Sequence, residues 1–357
     1  MARKFIQDNE AVAEAAVAAG CRLFAGFPIT PQSQMPEHLS KILPECGGTF
    51  IQAESETVSA NILYGASIGG VRCMTSTSGP GLSLMAEGIS FLVGSEAPCV
   101  LIDVARPGPG IGGIEGCSQD YHFVVKGPGA GGGRAFVISP GTLQEAVDIV
   151  YESFDIADRY RTPVIVLTDK LMAATTEAVD IPQMRDLADL PDKSDWTLNC
   201  RASMDPADKR TSTSVLFPVA EQEKFVIHLN EKYQAWEANE TRWENFMTDD
   251  AEIILFAYGS VARIVKAAVL QLRSQGIRAG LFRPITLFPF PSKAIKALDL
   301  TGVKKLLTVE MAIPGQFVED VERCIAGRME VDFFGRGGGV VVEPQEVIEK
   351  VRSLLGR

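Results

Sequence analysis

Between residues 9 and 181 short apolar runs of strand length alternate with longer stretches whose apolar residues recur at helical spacing. That is the pattern of a parallel β-sheet covered by helices. Asn9 is placed to cap a helix that continues to Ala19 and closes at Gly20; a strand over 22–27 then ends in the stiff turn Pro28-Ile29-Thr30-Pro31. A helix over 37–43 and a strand over 49–53 follow, and Glu54-Ser55-Glu56 leads into a small-residue helix over 57–68. Next come a strand near 73–75, the turn Thr77-Ser78-Gly79-Pro80-Gly81, a helix to Phe91 and a buried strand over 99–104. From 106 to 134 glycine and proline dominate, so regular structure cannot fill the stretch. A loop this long inside a compact domain is functional or held by a partner. A strand over 135–139, a helix over 143–159 and a strand over 163–169 complete the unit.

The pattern changes at 184–247, which is rich in Asp, Asn, Lys and Ser and carries Trp236 and Trp243 in a charged, helical-looking stretch. From residue 251 the alternation returns, with strands over 253–257, 278–282 and 305–309, helices over 262–274, 292–298 and 316–326, and a last helix near Pro344. The expected organisation is an α/β parallel-sheet domain over 1–183, a connector over 184–250 that wraps it, and a smaller α/β domain over 251–357. The length of 357 residues fits two units at roughly 150 residues each.

Composition narrows the function classes. An apolar fraction of 46% with 22% charged residues excludes a disordered chain or a small disulfide scaffold. The net charge of −11 argues against a broad nucleic-acid footprint or affinity for anionic membranes. No apolar run reaches the roughly 18–20 residues that cross a bilayer, and the amino terminus lacks the apolar segment of a secretion signal, so a cytoplasmic protein is expected. The seven cysteines are scattered without a CxxC pair, and His38, His122 and His228 lack metal-ligand spacing. No metal or iron–sulfur site is therefore expected within this chain, and the thiols are expected to be reduced and mostly buried.

Three positions stand out chemically. Thr30, held between prolines at a strand end with Pro28 and Ile29, presents one preorganised hydroxyl, or else marks a rigid connection only. Glu56 opens a helix, where a carboxylate complements the dipole; in an apolar crevice, with Ile62, Leu63 and Tyr64 contributing, it would polarise a ring nitrogen. Arg106, directly after a buried strand, is suited to grip a carboxylate bidentately, or to pair with Asp103 or Asp120. Gly79-Pro80-Gly81 and the 108–113 glycines lack the P-loop lysine and the full dinucleotide fingerprint. Glu310, at a strand end before Gln316, reads as a partner contact or a capped turn.

Taken together, Gly26-Phe27-Pro28-Ile29-Thr30-Pro31, Glu54-Ser55-Glu56, Thr77-Ser78-Gly79-Pro80-Gly81 and the strand ending in Arg106 resemble the alpha subunit of 2-oxoacid:ferredoxin oxidoreductases. Ala257-Tyr258-Gly259-Ser260, Arg283-Pro284-Ile285-Thr286-Leu287-Phe288-Pro289 and Val309-Glu310-Met311 look like the carboxyl-terminal domain of the same subunit. The 108–134 stretch is most similar to the 2-oxoisovalerate or 2-oxoglutarate branch, although Phe27 stands where tyrosine is usual and Gly131-Gly132-Gly133-Arg134 departs from the usual run.

The resemblance implies a thiamine diphosphate enzyme, with a pyrimidine-binding domain followed by a transketolase carboxyl-terminal-like domain. It implies that Glu56 is catalytic and hydrogen-bonds the cofactor's aminopyrimidine, with Pro28, Ile29, Ser78 and Gly79 also against the cofactor. Thr30 and Arg106 would hold the substrate carboxylate. A beta subunit would bring the diphosphate and Mg2+ site, and gamma and ferredoxin-like delta subunits the remaining parts, including [4Fe-4S] clusters. Coenzyme A would take the acyl group and ferredoxin the electrons. Two other readings are a noncatalytic scaffold that binds coenzyme A or a subunit, and a thiamine enzyme without iron–sulfur partners; the Pro-Ile-Thr-Pro turn speaks against the latter.

Overall fold

The computed structural model describes residues 2–198 and 210–357. In chain order the strands are β1 (Ala2–Gln7), β2 (Leu23–Gly26), β3 (Thr49–Gln52), β4 (Cys73–Thr77), β5 (Cys99–Ala105), β6 (Phe136–Ile138) and β7 (Pro163–Asp169). They continue with β8 (Thr176–Ile181), β9 (Trp243–Phe246), β10 (Ile253–Phe256), β11 (Ala279–Pro284), β12 (Thr286–Phe288), β13 (Lys305–Glu310) and β14 (Val331–Gly335). The larger sheet has the order β12-β6-β7-β5-β4-β2-β3 and the smaller one β14-β13-β10-β11-β9, while β1 and β8 form an antiparallel ribbon. All pairings in the larger sheet are parallel except β12 with β6; in the smaller, only β9 runs antiparallel.

Parallel strands buried on both faces read as continuous apolar runs, and β5 shows why. All seven of its residues are buried. Cys99, Leu101 and Ala105 point to one core with Leu63, Ile89 and Leu92 of the helices Glu56–Ile68 and Ala86–Gly94. Val100, Ile102 and Val104 point to the other, packed by Val12, Leu39 and Val147 of the helices Asp8–Ala18, Gln34–Glu45 and Leu143–Tyr160. The strict alternation follows from the two-residue period of the strand.

Several expectations are corrected. Asn9 does not cap its helix: β1 runs directly into it and the helix starts at Asp8. Asn9 is buried instead, and its Nδ2 donates to Pro31 O at 3.1 Å and Gln34 Oε1 at 3.2 Å. Trp243 is not helical; it lies in β9, paired with Pro284. Trp236 does sit in a helix, Val219–Asn239, and is fully buried against the rings of Phe136, Tyr160, Tyr233 and Phe288. The short helix Tyr121–Lys126 interrupts the glycine-rich stretch. Strand β12, from the stretch after the second unit begins, closes the edge of the first sheet. Among the described residues six cysteines are free thiols, and burial pushes Cys21 up to about 12, which makes it unreactive. Cys200 lies outside the described residues. No helix among the described residues is long and apolar enough to cross a membrane.

Asp8 makes the fold pH-sensitive. It is buried, its Oδ1 has no hydrogen-bond partner, and burial followed by the nearby Asp169 and Glu177 pushes it up to about 7. The folded state therefore holds this proton more tightly than the unfolded chain, so stability falls as pH rises from about 4 to 7 and stays lowered above. Asp8→Asn is expected to stabilise the fold at pH 8 by at most roughly 4 kcal/mol and to raise the thermal midpoint there, with less than about half of that gain at pH 5. Melting curves at the two pH values check this; an equal shift at both would refute it.

Candidate active site

Open parallel sheets bind ligands outside the carboxyl ends of their strands, where the chain reverses its direction across the sheet. Here the chain passes from β2 outward to β3 and then returns to the other side of β2 as β4, followed by β5. The four segments of interest leave these four adjacent strands at that edge: Pro28-Ile29-Thr30 after β2, Glu56 after β3, Ser78 and Gly79 after β4, and Arg106 after β5.

The turn after β2 is held from below. Gln32 is fully buried, its Nε2 donates to Phe27 O at 3.2 Å and its Oε1 accepts from Ser76 Oγ at 2.5 Å. With Asn9 on Pro31 O, these bonds leave Pro28 and Thr30 exposed at the rim. The Thr30 carbonyl accepts from Arg106 Nη1 at 3.0 Å, which joins the two residues expected to hold a carboxylate.

Glu56 begins the helix Glu56–Ile68, for which Ser55 is the cap, its side chain accepting from Val58 N at 3.3 Å. Its side chain is buried, 5% exposed, and lies where a Cβ on Gly81 would run into both the Glu56 carboxylate and Thr77 Oγ1. Only glycine permits this close approach of backbone to acid. The expectation that Ile62, Leu63 and Tyr64 surround the carboxylate is not met. They lie nearly two turns along the helix, about 10 Å away; Leu63 is core and Tyr64 Oη bonds Ser95 Oγ at 2.9 Å.

No carboxylate lies within ion-pair distance of Arg106 among the described residues, so the pairing with Asp103 or Asp120 does not form. Its Nε is buried without a partner. Asp103 is fully buried and neither of its oxygens has a hydrogen bond. Burial, and then the charge of Asp120, push it well above the ordinary carboxylate range, which favours its neutral form. Burial also raises Asp120, to about 6, against the pull of the Arg106 and Gly79 backbone N–H groups and the guanidinium. Thr77 Oγ1 and Ser78 Oγ are likewise buried and unpartnered. Buried polar atoms left unbonded are costly, and several at one strand edge mark a place for a polar ligand.

Sequence reasoning missed Gln32, which had no local signal, and named Asp103 and Asp120 only as ion-pair partners of Arg106, not as buried acids at this strand edge. Glu310 proves to be the capped turn: it accepts from the backbone N–H groups of Gln316, Phe317 and Val318, each at 2.9 Å. No three His, Cys, Asp or Glu side chains converge at metal-binding geometry among the described residues.

The larger sheet, covered by helices on both faces, carries an acid, a hydroxyl and a guanidinium on segments that leave adjacent strands at its carboxyl edge, and its family match makes it a thiamine diphosphate-binding α/β protein. Residues 14–247 match the family model of pyruvate flavodoxin/ferredoxin oxidoreductase, thiamine diphosphate-binding, and residues 251–347 that of pyruvate:ferredoxin oxidoreductase core domain II. The chain belongs to the 2-oxoacid:ferredoxin oxidoreductase family, as an alpha subunit.

Among its relatives, the ketoisovalerate oxidoreductase subunit VorB of Methanothermobacter thermautotrophicus is 42% identical over 100% of this chain and 99% of its own. The 2-oxoglutarate synthase subunit KorA of Methanothermobacter marburgensis is 34% identical over 98% of each. The structure of 2-oxoglutarate:ferredoxin oxidoreductase from Magnetococcus marinus, with 2-oxoglutarate, coenzyme A and succinyl-CoA bound, superposes with a TM-score of 0.85 at 23% identity. It covers 99% of this chain, which spans 65% of that longer chain. A split-gene transketolase, as an inactive beta4 tetramer, shares the fold over 99% of both chains at a TM-score of 0.60 and 14% identity.

Proposed function

We propose that this chain supplies the pyrimidine-binding half of an active site shared with a beta subunit, and that the assembly oxidatively decarboxylates a branched-chain 2-oxoacid with coenzyme A. The products are the acyl-CoA, CO2 and reduced ferredoxin. One observation carries the reading: Glu56, Thr30 and Arg106 leave neighbouring strands at one edge, the acid buried and the guanidinium without an anionic partner.

In this reading Glu56 hydrogen-bonds a ring nitrogen and holds or releases its proton, while Pro28, Ile29, Ser78 and Gly79, which follow the adjacent strands β2 and β4, contact the same cofactor. Bound thiamine diphosphate supplies the carbon nucleophile that attacks the 2-oxo carbon. Arg106 and Thr30 orient the substrate carboxylate until it leaves as CO2. The diphosphate, Mg2+ and the [4Fe-4S] clusters are assigned to beta and ferredoxin-like delta subunits, with a gamma subunit completing a cytoplasmic complex.

The rim supports a choice of substrate side chain. The segments carrying Thr30 and Arg106 also carry exposed or half-buried Phe27, Ile29, Ile111 and Ile114, which favour an aliphatic chain over the second carboxylate of 2-oxoglutarate. The relative at 42% identity, called a ketoisovalerate oxidoreductase subunit, supports the same choice.

The test is a panel of 2-oxoacids with the chain and its copurifying subunits, following coenzyme A-dependent ferredoxin reduction. 2-Oxoisovalerate should show the highest kcat/KM and the isolated chain no turnover. Preference for 2-oxoglutarate would overturn the substrate assignment, and activity of the chain alone would overturn the shared site.

A further inference from the structure

Away from the crevice, at the far edge of the larger sheet, a cleft of about 430 Å3 opens beside β12, a size that holds a small ligand. β6 and β7 separate β12 from β5, so at the usual strand spacing the cleft lies about 14 Å across the sheet from the strand that leads to Arg106. Its walls come from three parts of the chain. Lys126 and Arg134 belong to the stretch before β6, the helix Val219–Asn239 supplies Tyr233 and Glu237, and Lys296 and Arg323 come from the second unit.

The charge here is opposite to that of the whole chain. In a molecule of net charge −11, four cations line the cleft against two carboxylates, Asp320 and Glu237. Glu237 already faces Lys293 at 3.6 Å. Asp320, 2% exposed, accepts from Lys126 Nζ at 2.6 Å, Tyr121 Oη at 2.7 Å and Arg323 Nη2 at 3.1 Å. One cation would neutralise this acid, and it holds two in fixed positions. Arg134 has no carboxylate partner among the described residues. Its Nη1 donates to Val125 O at 2.7 Å, its backbone N–H donates to Tyr233 Oη at 2.9 Å, and its guanidinium lies 5.4 Å from the centre of the Phe288 ring, so its remaining donors are held at the wall. Lys296 is exposed and makes no ion pair or hydrogen bond among the described residues. Like charges gathered from separate elements repel one another, a cost that a multiply charged anion removes.

We propose that this cleft binds a diphosphate-bearing small molecule of the nucleoside diphosphate kind, held by Lys126, Arg134, Lys296 and Arg323. A diphosphate carries more charge and more acceptor oxygens than a carboxylate, which matches a mixed set of lysines and arginines. Asn230, Gln234 and Ser292 on the same walls supply neutral donors and acceptors for a sugar or base. The proposal stands apart from the reading of the crevice, since none of these residues belongs to it.

Calorimetric titration of the full chain with pyrophosphate and with ADP, at low salt and without divalent metal, checks it. Both should bind, ADP no more weakly than pyrophosphate, with affinity falling as salt is raised. Lys296→Ala and Arg323→Ala should each weaken both ligands about tenfold, the loss of one charge-assisted hydrogen bond. Neither change threatens the fold, because Lys296 bonds no protein group among the described residues and Asp320 keeps Lys126 and Tyr121. Arg106→Ala should leave both affinities unaltered. In the full complex, KM for coenzyme A separates two sources of the diphosphate: raised in Lys296→Ala for the coenzyme, unaltered for a free nucleotide. No binding to the unaltered chain, unchanged affinities in both cleft variants, loss of binding in Arg106→Ala, or tighter binding of citrate than of pyrophosphate would overturn the proposal.

Discussion

Glu56→Gln in the reconstituted complex is expected to lower turnover by a factor on the order of 10² or more, the usual loss when a positioned proton-transfer group is removed. Glutamine has the same length and shape, so the helix start and its Ser55 cap are retained. What disappears is the ability to hold a charge and exchange a proton in a buried position, 5% exposed, pressed against Gly81. The loss should appear in kcat, with 2-oxoacid KM largely kept, because the substrate carboxylate is gripped elsewhere. Turnover near that of the unaltered complex would reject the role and leave the scaffold reading standing.

The second large effect belongs to Arg106→Ala. The guanidinium is held by one nitrogen on the Thr30 carbonyl at 3.0 Å, and its Nε has no protein partner, so donors remain free in a fixed orientation. A charge-assisted hydrogen bond is worth about 1.5–3 kcal/mol, and two of them partly overlapping amount to a fall of about 10²–10³ in kcat/KM. Arg106→Lys should recover part of this, since the charge survives and the planar fork does not. Steady-state kinetics with varied 2-oxoacid decide the matter; unchanged kcat/KM in the alanine variant would exclude the carboxylate grip.

Much of this architecture was legible in the chain because its central strands are buried on both faces. A residue such as Ile102 must then be apolar whichever way it points, and β5 and β7 appear as apolar runs broken only by Asp103 and by the closing Thr168-Asp169. Edge strands lack that constraint. β9 alternates between exposed and half-buried positions and β14 is half-buried throughout, so neither carried a readable signal. Asn9 was misread for a related reason. Its local context is that of a cap, yet the preceding β1 supplies the helix start and frees the amide for Pro31.

The sequence by itself determined the alternation of buried strands and helices, the order of the segments that leave the strand ends, and the identity of the acid, hydroxyl and guanidinium among them. These are local matters, written in spacing and residue type. Only the tertiary structure decided that Arg106 rests on the Thr30 carbonyl instead of a carboxylate, that Asp103 is fully buried with its carboxyl pushed toward the neutral form, and that β12 closes the first sheet. The same holds for Gln316 and Gln119, 197 positions apart yet 2.8 Å from nitrogen to oxygen. A polar side chain takes its role from whichever donors and acceptors folding brings beside it, and no spacing along the chain encodes that distance.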